Sequence, residues 1–163
     1  MPCARSARFD AQLALFAWEN ELCRHLTTIP GIGPLCATAL VAAVGKADNF
    51  RSARDLAAWI GLVPRQFSTG GKAKLLGLTK RGNAYLRKIL VHGARAAARL
   101  VQRPSDPLRA FVGRIRERAR VNVAICALAN KIARVAWAVL RTGRDFDAKY
   151  GRGAPSISPQ PAA

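Results

Sequence analysis

A chain of 163 residues, half of them hydrophobic, is long enough to bury one core and too short to divide into two substantial domains. Its 27 lysines and arginines stand against 9 aspartates and glutamates, giving a formal charge of +18 and a pI near 11.4. Such a field draws in polyanions, so nucleic acid is the expected partner. The basic residues run along the whole chain rather than along one helical face, which argues against a membrane-surface helix. No apolar run reaches the roughly 18 residues of a membrane span, and MPCARSARFD has no apolar signal core. No membrane is expected, and the expected location is cytoplasmic.

Taken in chain order, residues 10–26 place Leu15, Trp18, Leu22 and Leu26 at helical spacing, which predicts an amphipathic helix. A break follows at Thr27-Thr28-Ile29-Pro30-Gly31-Ile32-Gly33. Pro34 then suits a first helical position, because its missing N–H would have had no partner there, and a short apolar helix runs to Val44 before Gly45. Ser52-Ala53-Arg54-Asp55 has the form of a capping box with Asp for Glu, opening a helix through Leu56, Trp59 and Ile60 that Gly61 ends. Residues 61–79 carry Pro64, Gly70, Gly71 and Gly77, which reads as a long basic glycine-rich loop or a small hairpin.

From about Gly82 the helical pattern returns, with Leu86, Ile89, Leu90, Gly93 and Ala97 on the apolar side and Arg87, Arg95, Arg99 and Arg103 elsewhere. Asp106-Pro107 predicts a capped helix rich in arginine, including Arg109, Arg114 and Arg116. The last strong helix spans about Val121 to Leu140, with Ile125, Leu128, Ile132, Val135 and Val139 facing a core, and Gly143 ends it. The segment after Tyr150 is rich in Pro, Gly and Ser and has nothing to bury. The fold class is all-α. Its expected divisions are an N-terminal helix over 1–26, the main domain over 27–143 and a disordered tail over 144–163.

Cys3, Cys23, Cys36 and Cys126 show no C-x-x-C spacing, and only His25 and His92 could join them, so no metal site and no resident cofactor is expected. Two segments carry candidate chemistry. In Ile29-Pro30-Gly31-Ile32-Gly33-Pro34, the glycines at 31 and 33 fit the turn of a helix-hairpin-helix motif, where backbone N–H groups at a helix start meet a phosphate; a plain helix-joining turn has the same composition. In Pro64-Arg65-Gln66-Phe67-Ser68-Thr69-Gly70-Gly71-Lys72-Ala73-Lys74, a hydroxyl sits beside two glycines among cations. Attack on phosphorus requires that combination of exposed nucleophile, close backbone and positive charge, although a solvated glycine turn would look alike.

The order P-G-I-G-P, A-A-W-I-G-L-V-P-R-Q, S-T-G-G-K and T-K-R-G-N-x-Y-L-R-K-x-L resembles the C-terminal domain of the bridge-RNA-guided insertion-sequence transposases of the one-hundred-and-ten family and its eleven-hundred-and-eleven subgroup. The resemblance covers roughly Thr27 to Arg99. It implies a DNA strand-transfer domain in which Ser68, leading S-T-G-G-K, is the nucleophile, with Thr69 the second choice. Lys72, Lys74, Lys80, Arg81 and Arg87, with Arg65, would hold phosphates, and Gly31 and Gly33 would contact DNA. It further implies a structured guide RNA, a homo-oligomer in the full-length protein, and Mg²⁺ bound only by a separate carboxylate-rich nuclease domain. The nine acidic residues here are scattered and form no such set. The expectation is therefore a truncated chain, inactive alone, whose residues 1–26 are the stump of the interdomain linker. The alternative is a non-catalytic helix-hairpin-helix module for DNA or RNA.

Overall fold

A computed structural model of the chain describes residues 4–69, 72–79, 81–100 and 107–147. In order these form α1 (Ala4–Glu19), α2 (Glu21–Thr27), α3 (Pro34–Val44), α4 (Ala53–Ile60), β1 (Pro64–Thr69), β2 (Lys72–Leu78), α5 (Ala84–Leu100), α6 (Pro107–Arg116) and α7 (Val121–Thr142). The architecture is mostly helical. Where a long glycine-rich loop or a small hairpin is expected, Pro64–Thr69 and Lys72–Leu78 pair as strands.

The helix expected over 10–26 is two helices. Asn20 adopts an extended conformation (φ −89°, ψ 118°), and its side-chain oxygen accepts the Cys23 N–H at 3.2 Å. A side chain that offers the backbone such an acceptor starts a new helix and resets its phase. Ala17, Cys23 and Leu26 are consequently buried, whereas Leu15 and Trp18, expected on the same stripe, are 64% and 74% exposed.

Elsewhere local signals and structure agree. Gly33 precedes Pro34 at the start of α3, and Gly45 (φ +59°) ends it. In α4 the capping box is complete: Ser52 N–H donates to Asp55 Oδ2 at 2.9 Å, and Asp55 N–H donates to Ser52 Oγ at 3.3 Å. α6 begins at Pro107, while Asp106 lies outside the described residues.

α7 is the centre of the body and packs on α2, α4, α5 and α6. Ala124, Ala129, Ala133 and Ala136 let its neighbours approach closely, and Leu128 and Ile132 fill the space between. By length and composition alone this 22-residue helix could cross a membrane, although Lys131 and Arg134 interrupt its apolar run. Half of its apolar window is buried in the body, and Lys131, Arg134 and Arg141 lie along it. Trp137 Nε1 donates to the Phe50 carbonyl at 3.2 Å, and Phe50 meets Trp59 edge to face at 5.6 Å.

Past Gly143 the chain returns to α2. His25 Nδ1 and Asp145 Oδ1 lie 2.7 Å apart, and Phe146 N–H donates to Thr28 Oγ1 at 2.8 Å. Cys23 and Cys36 are buried thiols, and burial pushes Cys36 up to about 12. A thiol so shifted stays protonated and is a poor nucleophile at neutral pH.

Candidate nucleic-acid interface

The turn between α2 and α3 is pinned from inside. Ile29 and Ile32 are buried, and the Ile32 N–H donates to the Ile29 carbonyl at 3.0 Å. Gly31 sits at φ +94° with its backbone against Gly93 of α5. A Cβ on Gly31 would lie 2.7 Å from the Gly93 carbonyl oxygen, and one on Gly93 would lie 1.9 Å from that of Gly31. Gly33 differs: it is exposed and extended (φ −95°, ψ 178°), and a Cβ there would meet nothing within 4 Å. No side chain caps the first turn of α3, so its positive end faces outward beside an unobstructed glycine.

β1 and β2 are antiparallel, with Pro64 opposite Leu78, Gln66 opposite Leu75, Phe67 opposite Lys74, Ser68 opposite Ala73 and Thr69 opposite Lys72. β2 carries one more residue than β1 between the first two pairs, a bulge that increases the local twist. Ser68 and Thr69 are the last two residues of β1. The connecting Gly70 and Gly71 lie outside the described residues, as does Lys80; two glycines are a length and composition that tight hairpins favour. Lys72 and Lys74 follow on β2. At the base of the hairpin Leu78, the last residue of β2, is half-buried against the helical core.

The hairpin's root, by contrast, is tied on every side. Gly61 (φ +81°) and Gly82 (φ +92°) let two chain segments cross: a Cβ on Gly61 would lie 1.9 Å from the Arg81 carbonyl oxygen, and one on Gly82 would lie 1.8 Å from that of Trp59. Leu62 is buried, its N–H donates to the Ala57 carbonyl at 3.0 Å, and Asn130 Nδ2 of α7 donates to the Leu62 carbonyl at 3.1 Å. Asn83 caps α5 through the Leu86 N–H at 3.0 Å. Thr79 N–H donates to the Val63 carbonyl at 2.9 Å, while Thr79 Oγ1 is buried with no hydrogen-bond partner.

Two of the cations assigned to phosphates are engaged here with backbone. Arg87 Nη1 donates to the carbonyls of Ile60 at 2.9 Å and Arg81 at 3.3 Å, and Arg65 Nη2 donates to that of Thr79 at 3.2 Å. Arg87 is half-buried, whereas the Arg81 side chain is exposed. The structure thus brings Arg65, Arg81 and Arg87 together at the root and sets Gly31 and Gly33 on a separate turn. Sequence reading passed over Lys88, which lies one residue beyond Arg87 and is exposed; its spacing to Arg95 and Arg99 on one helical face was the available signal. Among the described residues, no group of three His, Cys, Asp or Glu side chains could hold a metal ion.

The profile of the "Transposase IS116/IS110/IS902 family" matches residues 23–111. A "Probable family 20 transposase" of Pseudomonas aeruginosa is 43% identical over 137 residues, covering 84% of this chain and 40% of that protein. The "Transposase for insertion sequence element IS1111A" of Coxiella burnetii is 45% identical over 132 residues, covering 81% and 36%. The "Transposase for insertion sequence element IS1328" of Yersinia enterocolitica is 41% identical over 144 residues, covering 88% and 43%. The alignments thus span about two fifths of the length of these curated relatives.

Proposed function

Because the chain belongs to the transposase IS116/IS110/IS902 family, we propose that it is the C-terminal, DNA-engaging and strand-transferring part of such a transposase, with Ser68 as its nucleophile. The observation that carries this reading is the hairpin. Its last β1 residues are Ser68 and Thr69, Lys72 and Lys74 follow on β2, and it leaves the body from a locked root.

In the proposed step the Ser68 hydroxyl oxygen attacks a backbone phosphorus. An Oγ–P bond forms as the bond to one deoxyribose oxygen breaks, and the serine proton is balanced by protonation of the departing oxygen. The link so formed is still a diester and can be passed to a second DNA end without an external energy source. Arg81, Lys72, Lys74 and Lys80 are the cations proposed to hold the phosphates. Arg65 and Arg87 support them by fixing the root. Mg²⁺ has no ligand set among the described residues. We assign it to the part of the longer relatives that does not align with this chain, and we assign the structured guide RNA and homo-oligomer to the assembled transposase.

The test is a denaturing gel with peptide mapping of any DNA-linked residue. Alone, the chain is expected to bind DNA and form no adduct. Combined with a metal-binding nuclease domain, Mg²⁺ and guide RNA, it is expected to give a covalent species that Ser68→Ala abolishes and Thr69→Ala only reduces. Linkage at Thr69, or an undiminished adduct in Ser68→Ala, contradicts the assignment. A second reading, a non-catalytic helix-hairpin-helix module, draws on the exposed Gly33 and the uncapped start of α3. It predicts that Gly33→Val weakens DNA binding and that no adduct forms under any condition.

A further inference from the structure

The outer face of α5 is basic along its length. Lys88, His92, Arg95 and Arg99 recur at i, i+4, i+7 and i+11, a spacing that stacks side chains on one helical face, and all four are exposed. The opposite face buries Leu86, Leu90, Ala94 and Ala97. The ridge begins beside Arg87 at the hairpin root, and Arg99 lies about 18 Å further along the helix at a rise of ~1.5 Å per residue.

At its far end α5 meets α6 and the start of α7 around an open groove of about 360 Å³. Arg95, Arg99 and Arg116 line it with Asn122, above a floor that includes Val112 and Ile125. No ion pair among the described residues involves any of the three arginines. α7 begins in the groove wall, its cap residue Arg120 extended and making no side-chain cap, so the positive end of a 22-residue helix adds to three guanidiniums. Nearby on α7, burial pushes the Cys126 thiol up, and the Arg95 charge pulls against it. Like charges gathered in this way repel one another until an anion joins them. Guanidiniums fit phosphate oxygens in bidentate fashion, and an apolar floor suits the sugar beside them.

We propose that this groove seats a backbone phosphate of duplex DNA, and that DNA engaged at the hairpin runs along the α5 ridge to reach it. The inference rests on the reading of the chain as a DNA-binding domain. At ~3.4 Å per base pair the path from root to groove covers about five base pairs, so one short duplex can touch both.

The test is a fluorescence-anisotropy titration of the full chain with a 30-base-pair duplex of arbitrary sequence, between 50 and 200 mM KCl. The triple variant Arg95→Ala, Arg99→Ala, Arg116→Ala is expected to bind at least tenfold more weakly at 100 mM. Its log–log salt slope should fall by about one to three units. The single variant Arg116→Glu, less exposed to any folding defect, should show a smaller loss in the same direction. A control of equal charge on another surface, Lys46→Ala, Arg51→Ala, Arg54→Ala, should stay within threefold of the parent. Groove and control triples of equal affinity overturn the groove and leave the DNA reading standing. A groove triple that loses affinity for a structured RNA but not for the duplex also overturns it. A parent chain with no salt-dependent affinity for DNA brings down the DNA reading and the groove together.

Discussion

The hairpin and its root adjoin in the chain and are held by opposite means. β1 and β2 bond to each other, with Leu78 resting on the core at their base, whereas the root combines a glycine crossing, a buried leucine, an asparagine from α7 and an arginine on two carbonyls. A two-stranded ribbon is at best marginally stable in water. Packing is therefore concentrated where the hairpin departs, which sets its direction. The α2–α3 turn repeats the contrast on a smaller scale, with Gly31 locked against Gly93 and Gly33 in open space.

The largest expected effect breaks the root. Gly82→Ala places a Cβ 1.8 Å from the Trp59 carbonyl at φ +92°. We expect a loss of about 3 kcal/mol or more, from left-handed strain plus displacement of backbone, measured by urea denaturation. Retained stability would mean that the two segments do not cross as described. Gly31→Ala, at 2.7 Å from the Gly93 carbonyl and φ +94°, should cost about 2 kcal/mol. Gly33→Ala should stay within about 0.5 kcal/mol, as surface changes do. Equal costs at the two glycines would erase the distinction between them.

Arginines at the root sharpen the comparison further. Arg87→Met removes two bonds to carbonyls and should cost about 1–3 kcal/mol while leaving the salt slope of DNA binding unchanged. Arg81→Ala should do the reverse, with stability nearly intact and the slope lower by about one. The smallest effect is at Thr79, whose buried hydroxyl has no partner. Thr79→Val should leave stability unchanged or raise it by up to about 1 kcal/mol; a clear loss would reveal a partner for that oxygen.

What the sequence discloses divides along the same line as what is local and what is distant. The ends of α3, α4 and α7 were legible because Pro34, Ser52 with Asp55, and the glycines at 45, 61 and 143 act on their own backbone within a turn. The break at Asn20 was hidden by a stripe that runs through it with the right spacing and the wrong phase. Gly70 and Gly71 allowed a hairpin without deciding between it and a loop. The contacts that give Gly31, Arg65 and Arg87 their roles reach up to 62 residues along the chain, as between Gly31 and Gly93. No local pattern announces them. The arginine groove is the extreme case, since Arg95 and Arg99 on α5 and Arg116 on α6 meet at the start of α7 only when three helices pack.

The central claim is that the helical body folds without the hairpin and that the hairpin meets DNA. Replacing residues 66–76 with Asn-Gly sets Arg65 opposite Gly77, and so keeps the root and the pairing of Pro64 with Leu78 while removing Ser68, Lys72 and Lys74. Urea denaturation and duplex binding, measured on the same preparation, test both halves at once. The account predicts stability within about 1 kcal/mol of the parent, because the root and the core contact of Leu78 are kept, and duplex affinity at least tenfold weaker at 100 mM KCl, because about two phosphate contacts are lost. A variant that unfolds, or one that folds and binds DNA as tightly as the parent, would contradict it.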